Sequence, residues 1–204
     1  YKILAPLIAK SKAAGLKKVV LMTAIGVEQN AEAPMRRAEL DLERSGVAYN
    51  ILRPSWFMQN FNTFWVHGIK ANGQIRLPVA DGKAAFIDSR DISAVAAKLL
   101  VEDSFNNLAF TLTGPEPLTH TQVAALISQA AGKPVSFVDI EPEELKQGLL
   151  AGGVPADYTD LLLLLLSFLK AGYMETRNNS VLEILGRPPR DFKSYARDYA
   201  SNWK

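Results

Sequence analysis

Two short, nearly unbroken apolar runs, each preceded by a segment of helical periodicity, constrain this chain more than any other feature. Val19-Val20-Leu21-Met22-Thr23 and the stretch from Val47 to Leu52 have strand length and lack a regular alternation of polar and apolar positions. A strand wetted on one face alternates, whereas one covered on both faces does not, and helices packed on a parallel sheet supply that double cover. The preceding segments read as such helices. Apolar residues 3, 4, 7 and 8 share a helical face that stops at Gly15. In the second helix Pro34 sits near the start, Met35, Ala38 and Leu42 share a face, and Gly46 marks the end. Helix, strand, helix, strand with short connections predicts an α/β fold on a parallel sheet.

The pattern returns once more. Strand-like pieces at 74 to 79 and 84 to 87 precede Asp88-Ser89-Arg90-Asp91, where a carboxylate can cap a helix. Ile92, Val95, Ala96, Leu99 and Leu100 then form a helical stripe, and Leu108 to Leu112 reads as the next strand. Beyond Gly114 the composition turns helical. Thr119 and Gln122 have capping-box spacing before a helix that carries Val123, Leu126, Ile127 and Ala130 inward and stops at Gly132. A strand at 135 to 140 and helices near 142 to 150, 156 to 170, 177 to 185 and 192 to 202 complete the chain. The expected division is a sheet domain at 1–114 and a smaller, mostly helical α/β lobe at 115–204. The helix at 156 to 170 contains six successive leucines, Leu161 to Leu166, so it is expected to be enclosed in the core in preference to pairing with another subunit.

Composition removes several classes of function. The chain has no cysteine, which excludes disulfides and thiolate chemistry, and 23 basic against 21 acidic residues leave too little positive charge for a nucleic-acid partner. No apolar run approaches the roughly 20 residues of a membrane span, and the first residues do not follow the order of a secretion signal, so a cytoplasmic protein is expected. His67 and His120 show no metal-ligand spacing, and His120, just inside a helix start, reads as a solvated polar residue. Neither the Gly-x-Ser-x-Gly elbow of a hydrolase nor the Gly-rich loop of a dinucleotide or nucleotide site is present.

In open α/β sheets ligands gather at the carboxyl ends of the strands. Here those ends lead into Thr23-Ala24-Ile25-Gly26 and, after the break expected at Arg53-Pro54, into Ser55-Trp56-Phe57-Met58-Gln59-Asn60. A hydroxyl from Thr23 or Ser55, the Asn60 amide and the rings of Trp56 and Phe57 suit a flat redox ring or an aromatic substrate. Trp56 and Phe57 read equally well as core residues at a helix start.

At these residues the sequence resembles a known family. Ala13-Ala14-Gly15-Leu16-Lys17-Lys18-Val19-Val20 running into Thr23-Ala24-Ile25-Gly26, and Ser45-Gly46 through Ile51-Leu52-Arg53-Pro54 to Asn60, carry the likeness first. Phe86-Ile87-Asp88-Ser89-Arg90-Asp91-Ile92, Leu112-Thr113-Gly114-Pro115-Glu116 and Gly186-Arg187-Pro188-Pro189-Arg190 extend it. Together they resemble the NmrA-like branch of the atypical short-chain dehydrogenases, which bind NAD(P) on a Rossmann fold. The resemblance implies the C-terminal part of a Rossmann-type parallel sheet plus a smaller helical lobe on the substrate side. Family members begin with the Gly-rich strand-turn-helix that this chain lacks, so the chain resembles the family's second half.

The resemblance also implies roles. It puts Thr23 near the nicotinamide, with Pro54, Ser55, Trp56, Phe57 and Asn60 bordering the cofactor and Trp56, Phe57 and Gln59 bordering the substrate. Typical short-chain dehydrogenases carry a Tyr-x-x-x-Lys pair on the helix after the first of these strands. Here that helix has no tyrosine, and Arg37 stands near the lysine position, readable as a weak catalytic candidate, a cofactor contact or an ion pair with Asp41. The implied activity is NADPH- or NADH-dependent reduction, NADPH preferred, of a quinone-like or other conjugated small molecule able to take its proton from water. The alternative is a non-catalytic NAD(P) redox sensor acting through a regulatory protein partner. A sugar-nucleotide epimerase is a third reading, weakened by the missing tyrosine. A second copy of the chain is a further expected partner.

Overall fold

The computed structural model describes residues 2–204. The first half runs α1 (Leu4–Ala13), β1 (Lys18–Met22), α2 (Pro34–Glu43), β2 (Ala48–Pro54), α3 (Val66–Asn72), β3 (Gln74–Leu77), β4 (Lys83–Ala84) and α4 (Ser89–Val101). The second half runs β5 (Leu108–Leu112), β6 (Leu118–Thr119), α5 (His120–Ala131), β7 (Ser136–Asp139), α6 (Pro142–Ala151), α7 (Ala156–Lys170), α8 (Ser180–Leu185) and α9 (Phe192–Asp198). Contacts sort them into two units. One holds the residues up to Ser55, Ser89–Thr113 and Asn178–Pro189; the other holds Trp56–Asp88, Gly114–Arg177 and Arg190–Lys204. The composition shift near residue 114 coincides with one of the points at which the chain passes between them.

The first unit is the parallel sheet that the apolar runs predict, in the order β1-β2-β5. Val19 lies opposite Tyr49 and Leu21 opposite Ile51, so these four share one face. Ile8 of α1 and Leu42 of α2 bury against them. On α4, Ile92, Val95 and Leu99 are buried, and this helix packs on β1 and β2, which gives the strands their double cover. β2 does not break at Arg53-Pro54 as expected; it runs through Pro54, which pairs with Leu112. The missing N–H costs little at the last residue of the strand, while the Pro54 carbonyl still accepts from Ile25 N at 3.1 Å.

The second unit pairs β3 with β7 in parallel and β4 with β6 antiparallel. Its core is aromatic. Phe61 meets Phe86 and Phe192 edge-on, each at 5.4 Å between ring centroids, and Trp203 Nε1 donates to the Phe61 carbonyl at 2.7 Å. α5 forms with the expected capping box, Gln122 N donating to Thr119 Oγ1 and Thr119 N to the Gln122 side chain. α7 departs from the enclosed helix that its leucines predict. Thr159, Leu166 and Leu169 are buried, but Leu161, Leu164, Leu165 and Phe168 are exposed, because only one side of the helix meets the core.

Candidate functional site

The carboxyl ends of β1 and β2 carry the polar chemistry of the first unit. Beyond the last register pair, Met22 with Leu52, Thr23 and Arg53 stand level on the face that α2 covers. From α2, Glu39 projects onto that face and is wholly buried. Its carboxylate accepts from Thr23 Oγ1 at 2.6 Å, from Arg53 Nε and Nη2 at 3.0 and 2.7 Å, and from Arg36 Nη1 at 2.8 Å. Arg36 also reaches Glu43 at 2.7 Å, and Arg53 lies 3.6 Å from Glu28. Burial acts to raise the Glu39 pKa, but the hydrogen bonds from Arg53, Thr23 and Arg36 outweigh it and hold the group below the usual carboxylate range. Both oxygens are satisfied, two of the contacts forming a bidentate guanidinium pair.

Ser55 follows directly. Its N–H donates to the Leu112 carbonyl at 2.9 Å, its side chain is buried, and its Oγ has no hydrogen-bond partner. A hydroxyl left unpaired inside a protein costs free energy comparable to a lost hydrogen bond, which a ligand group arriving at the strand end would recover. The left-handed turn at Gly26, with φ +84°, closes the loop after β1. Thr23, Pro54 and Ser55 therefore stand at neighbouring strand ends, where the Ser55 hydroxyl is the group left to meet a polar ligand.

Arg37 lies elsewhere on α2. Its guanidinium pairs with Glu32, both side chains well exposed, and it lines a shallow groove of about 370 Å³ with Lys2, Ala5, Leu40, Asp41 and Arg44, which includes none of the strand-end residues. An exposed pair of this kind contributes about 0–1 kcal/mol. Arg36, one residue earlier, is the arginine that joins the buried network. Sequence reasoning missed Glu39, Arg53 and Arg36; the available signal was a carboxylate among the inward positions of α2 and an arginine closing an apolar strand, two charges that each need a partner when buried.

In the second unit Trp56, Phe57, Gln59 and Asn60 are half-buried. The Trp56 carbonyl accepts from Ile87 N at 2.9 Å and Phe57 bridges Ile87 in parallel, so the two residues are extended chain that leads directly into a 3-10 helix at Met58–Asn62, with Phe57 as its N-cap. Gln59 Nε2 donates to the buried Asp88 at 3.0 Å, and Asn60 N closes a turn onto the Phe57 carbonyl. His120 corrects the expectation of a solvated residue. It is 2% exposed, its ring lies 5.8, 5.5 and 5.6 Å from those of Phe61, Phe86 and Phe137, and its Nδ1 has no partner. Desolvation by burial pushes its pKa down to about 4, so it is neutral at pH 7. Among the described residues no group of three or more His, Asp or Glu side chains is placed to hold a metal ion, and no helix is long and apolar enough to cross a membrane.

Comparison with known proteins gives one consistent result. The model of the NmrA-like family matches residues 37–195. The NAD(P)H azoreductase of Xenophilus azovorans is 33% identical over 201 residues, covering 97% of this chain and 70% of its own length. An agroclavine dehydrogenase of Claviceps fusiformis is 35% identical over 193 residues, covering 93% of this chain and 66% of its own. Among solved structures, an NADPH-dependent quinone oxidoreductase from Escherichia coli superposes with a TM-score of 0.83 at 22% identity, covering 95% of this chain and 71% of that one.

Proposed function

The chain belongs to the NmrA-like family, and on that premise we propose that it is an NAD(P)H-dependent oxidoreductase acting on a quinone-like or other conjugated, electrophilic small molecule. The observation that carries the proposal is the buried, unpartnered Ser55 hydroxyl at the carboxyl end of β2, two residues past the level of Thr23. The place favoured for ligands in an open parallel sheet thus holds an unmet hydrogen-bonding group. The similarity along nearly the whole chain to a protein named NAD(P)H azoreductase supports the same reading.

A bound reduced nicotinamide supplies a hydride. The residues of this chain hold and orient. Thr23 and Ser55 fix the ring substituent, and the ion pair of Glu39 with Arg53 keeps Thr23 in place across the strand end. In the second unit the half-buried rings of Trp56 and Phe57 offer flat apolar faces to a conjugated substrate, and Gln59, tethered by Asp88, adds a polar contact. No tyrosine lies on α2, so no side chain of that helix is suited to give a proton to a developing alkoxide. A conjugated acceptor fits this deficit, since it spreads the charge and takes its proton from water.

The test is NADPH absorbance in the full-length protein against a panel of quinones and azo dyes, with NADH as comparison. Turnover that depends on the electron acceptor, lowered at least roughly 10-fold in Ser55→Ala, supports the reading, a loss of about 1.4 kcal/mol being one good hydrogen bond. Absorbance unchanged by every acceptor removes it.

A further inference from the structure

Thr23 is held by a group that fixes the direction of its hydrogen bonds. A threonine hydroxyl has one hydrogen to give and two lone pairs to offer. Glu39, ionised by its contacts with Arg53 and Arg36, has no hydrogen and can only accept, so in the 2.6 Å contact Thr23 must be the donor. The length is that of a charge-assisted O–H···O⁻ bond. The other acceptor within reach, the Leu52 carbonyl, is 3.5 Å away, at the limit of hydrogen bonding. The single proton is therefore committed to Glu39, and what Oγ1 still offers is its lone pairs. The residue is 9% exposed and stands just beyond the last register pair of β1, so the strand end is where a ligand group can meet it.

We infer that Glu39 is a positioning residue that makes Thr23 an obligate hydrogen-bond acceptor, so that the strand end selects a cofactor ring bearing a donor, the carboxamide N–H of nicotinamide. This rests on the function proposed above. It adds a direction: a ring substituent that only accepts finds a lone pair facing its own, whereas the amide finds a partner. Glu39 does not touch the ligand in this arrangement. Its effect passes through one proton.

The experiment compares the binding of NADP⁺ with that of its 3-acetylpyridine analogue, in which a methyl group replaces the amide nitrogen, by calorimetry on the full-length protein. Expected is a preference of roughly 3- to 10-fold for NADP⁺, the range of one net hydrogen bond. Thr23→Ser keeps it, and Thr23→Val, which has the same shape and no lone pair, abolishes it. Glu39→Gln can donate to Oγ1 and turn the Thr23 proton toward the ligand, so the preference shrinks or reverses. Its thermal unfolding is followed alongside because Arg53 loses its counter-charge, and if that variant does not fold the two Thr23 variants decide. Equal affinity for both nucleotides in the parent, unchanged in Thr23→Val, overturns the inference and leaves the cofactor reading standing. No binding of NADP⁺ by the parent overturns both.

Discussion

Glu39 and His120 are both ionisable and both buried, and the protein accommodates them in opposite ways. Glu39 keeps its charge because three side chains donate to it; His120 gives up its charge because burial against three phenyl rings desolvates it. Their pH signatures therefore fall in different windows. The folded pKa of Glu39 lies below its ordinary 4.5, so its contribution is complete above that value and is lost as pH falls further, through the folded pKa. His120 falls from 6.5 to about 4 on folding, so stability is full above pH 6.5 and declines between those values, by about 3 kcal/mol in all. Urea unfolding midpoints measured from pH 7.5 to 4.5 should fall with acid in the parent and fall much less in His120→Phe; parallel curves would contradict the account of the aromatic surroundings. At pH 7 Glu39→Ala should cost about 3 kcal/mol, because two arginines lose a buried counter-charge. Neither environment was legible locally. His120 occupies the first position of α5, commonly a wetted place, and the rings around it come from residues 61, 86 and 137.

Elements with signals in their own sequence formed as read. α5 has its cap at Thr119 and its left-handed stop at Gly132, and Thr119→Ala should lower stability by about 1 kcal/mol, read as a shift in thermal midpoint. Where the deciding contact is distant, local reading failed: β2 continues through Pro54 because β5 lies beside it, and α7 exposes leucines because one side of it has no neighbour. Glycines show the same contrast. A Cβ added at Gly148, inside α6, would meet nothing within 4 Å, so Gly148→Ala should stabilise by about 0.5–1 kcal/mol through helix propensity. A Cβ at Gly114 would sit 1.8 Å from the Phe86 carbonyl oxygen, a backbone atom that cannot swing aside. Gly114→Ala should therefore destabilise by about 3 kcal/mol, the larger end of overpacking costs, and the two variants compared by denaturant midpoint separate propensity from collision.

At the scale of the molecule, the alternation of helix and strand announced a parallel sheet, yet it held no information about which later segment returns to which earlier one. Pairing is a long-range choice. β7 takes β3 as its partner, Ile75 opposite Phe137, and β6 takes β4, Ala84 opposite Leu118. A composition shift near residue 114 therefore marks a change in local preference without supplying an independently folding piece. A chain of residues 115–204 would carry β6 and β7 without either partner strand, and Phe192 without Phe61 and Phe86. Each large side chain so exposed forfeits about 1.5–3 kcal/mol, and a net stability of about 5–15 kcal/mol does not survive several such losses. Expressed alone, 115–204 should show helical circular dichroism without a cooperative thermal transition, whereas the 204-residue chain should unfold with one. A sharp transition in the shorter chain would mean that α5, α6, α7 and α9 build a sufficient core among themselves. The strand pairs would then decorate that lobe and not hold it together.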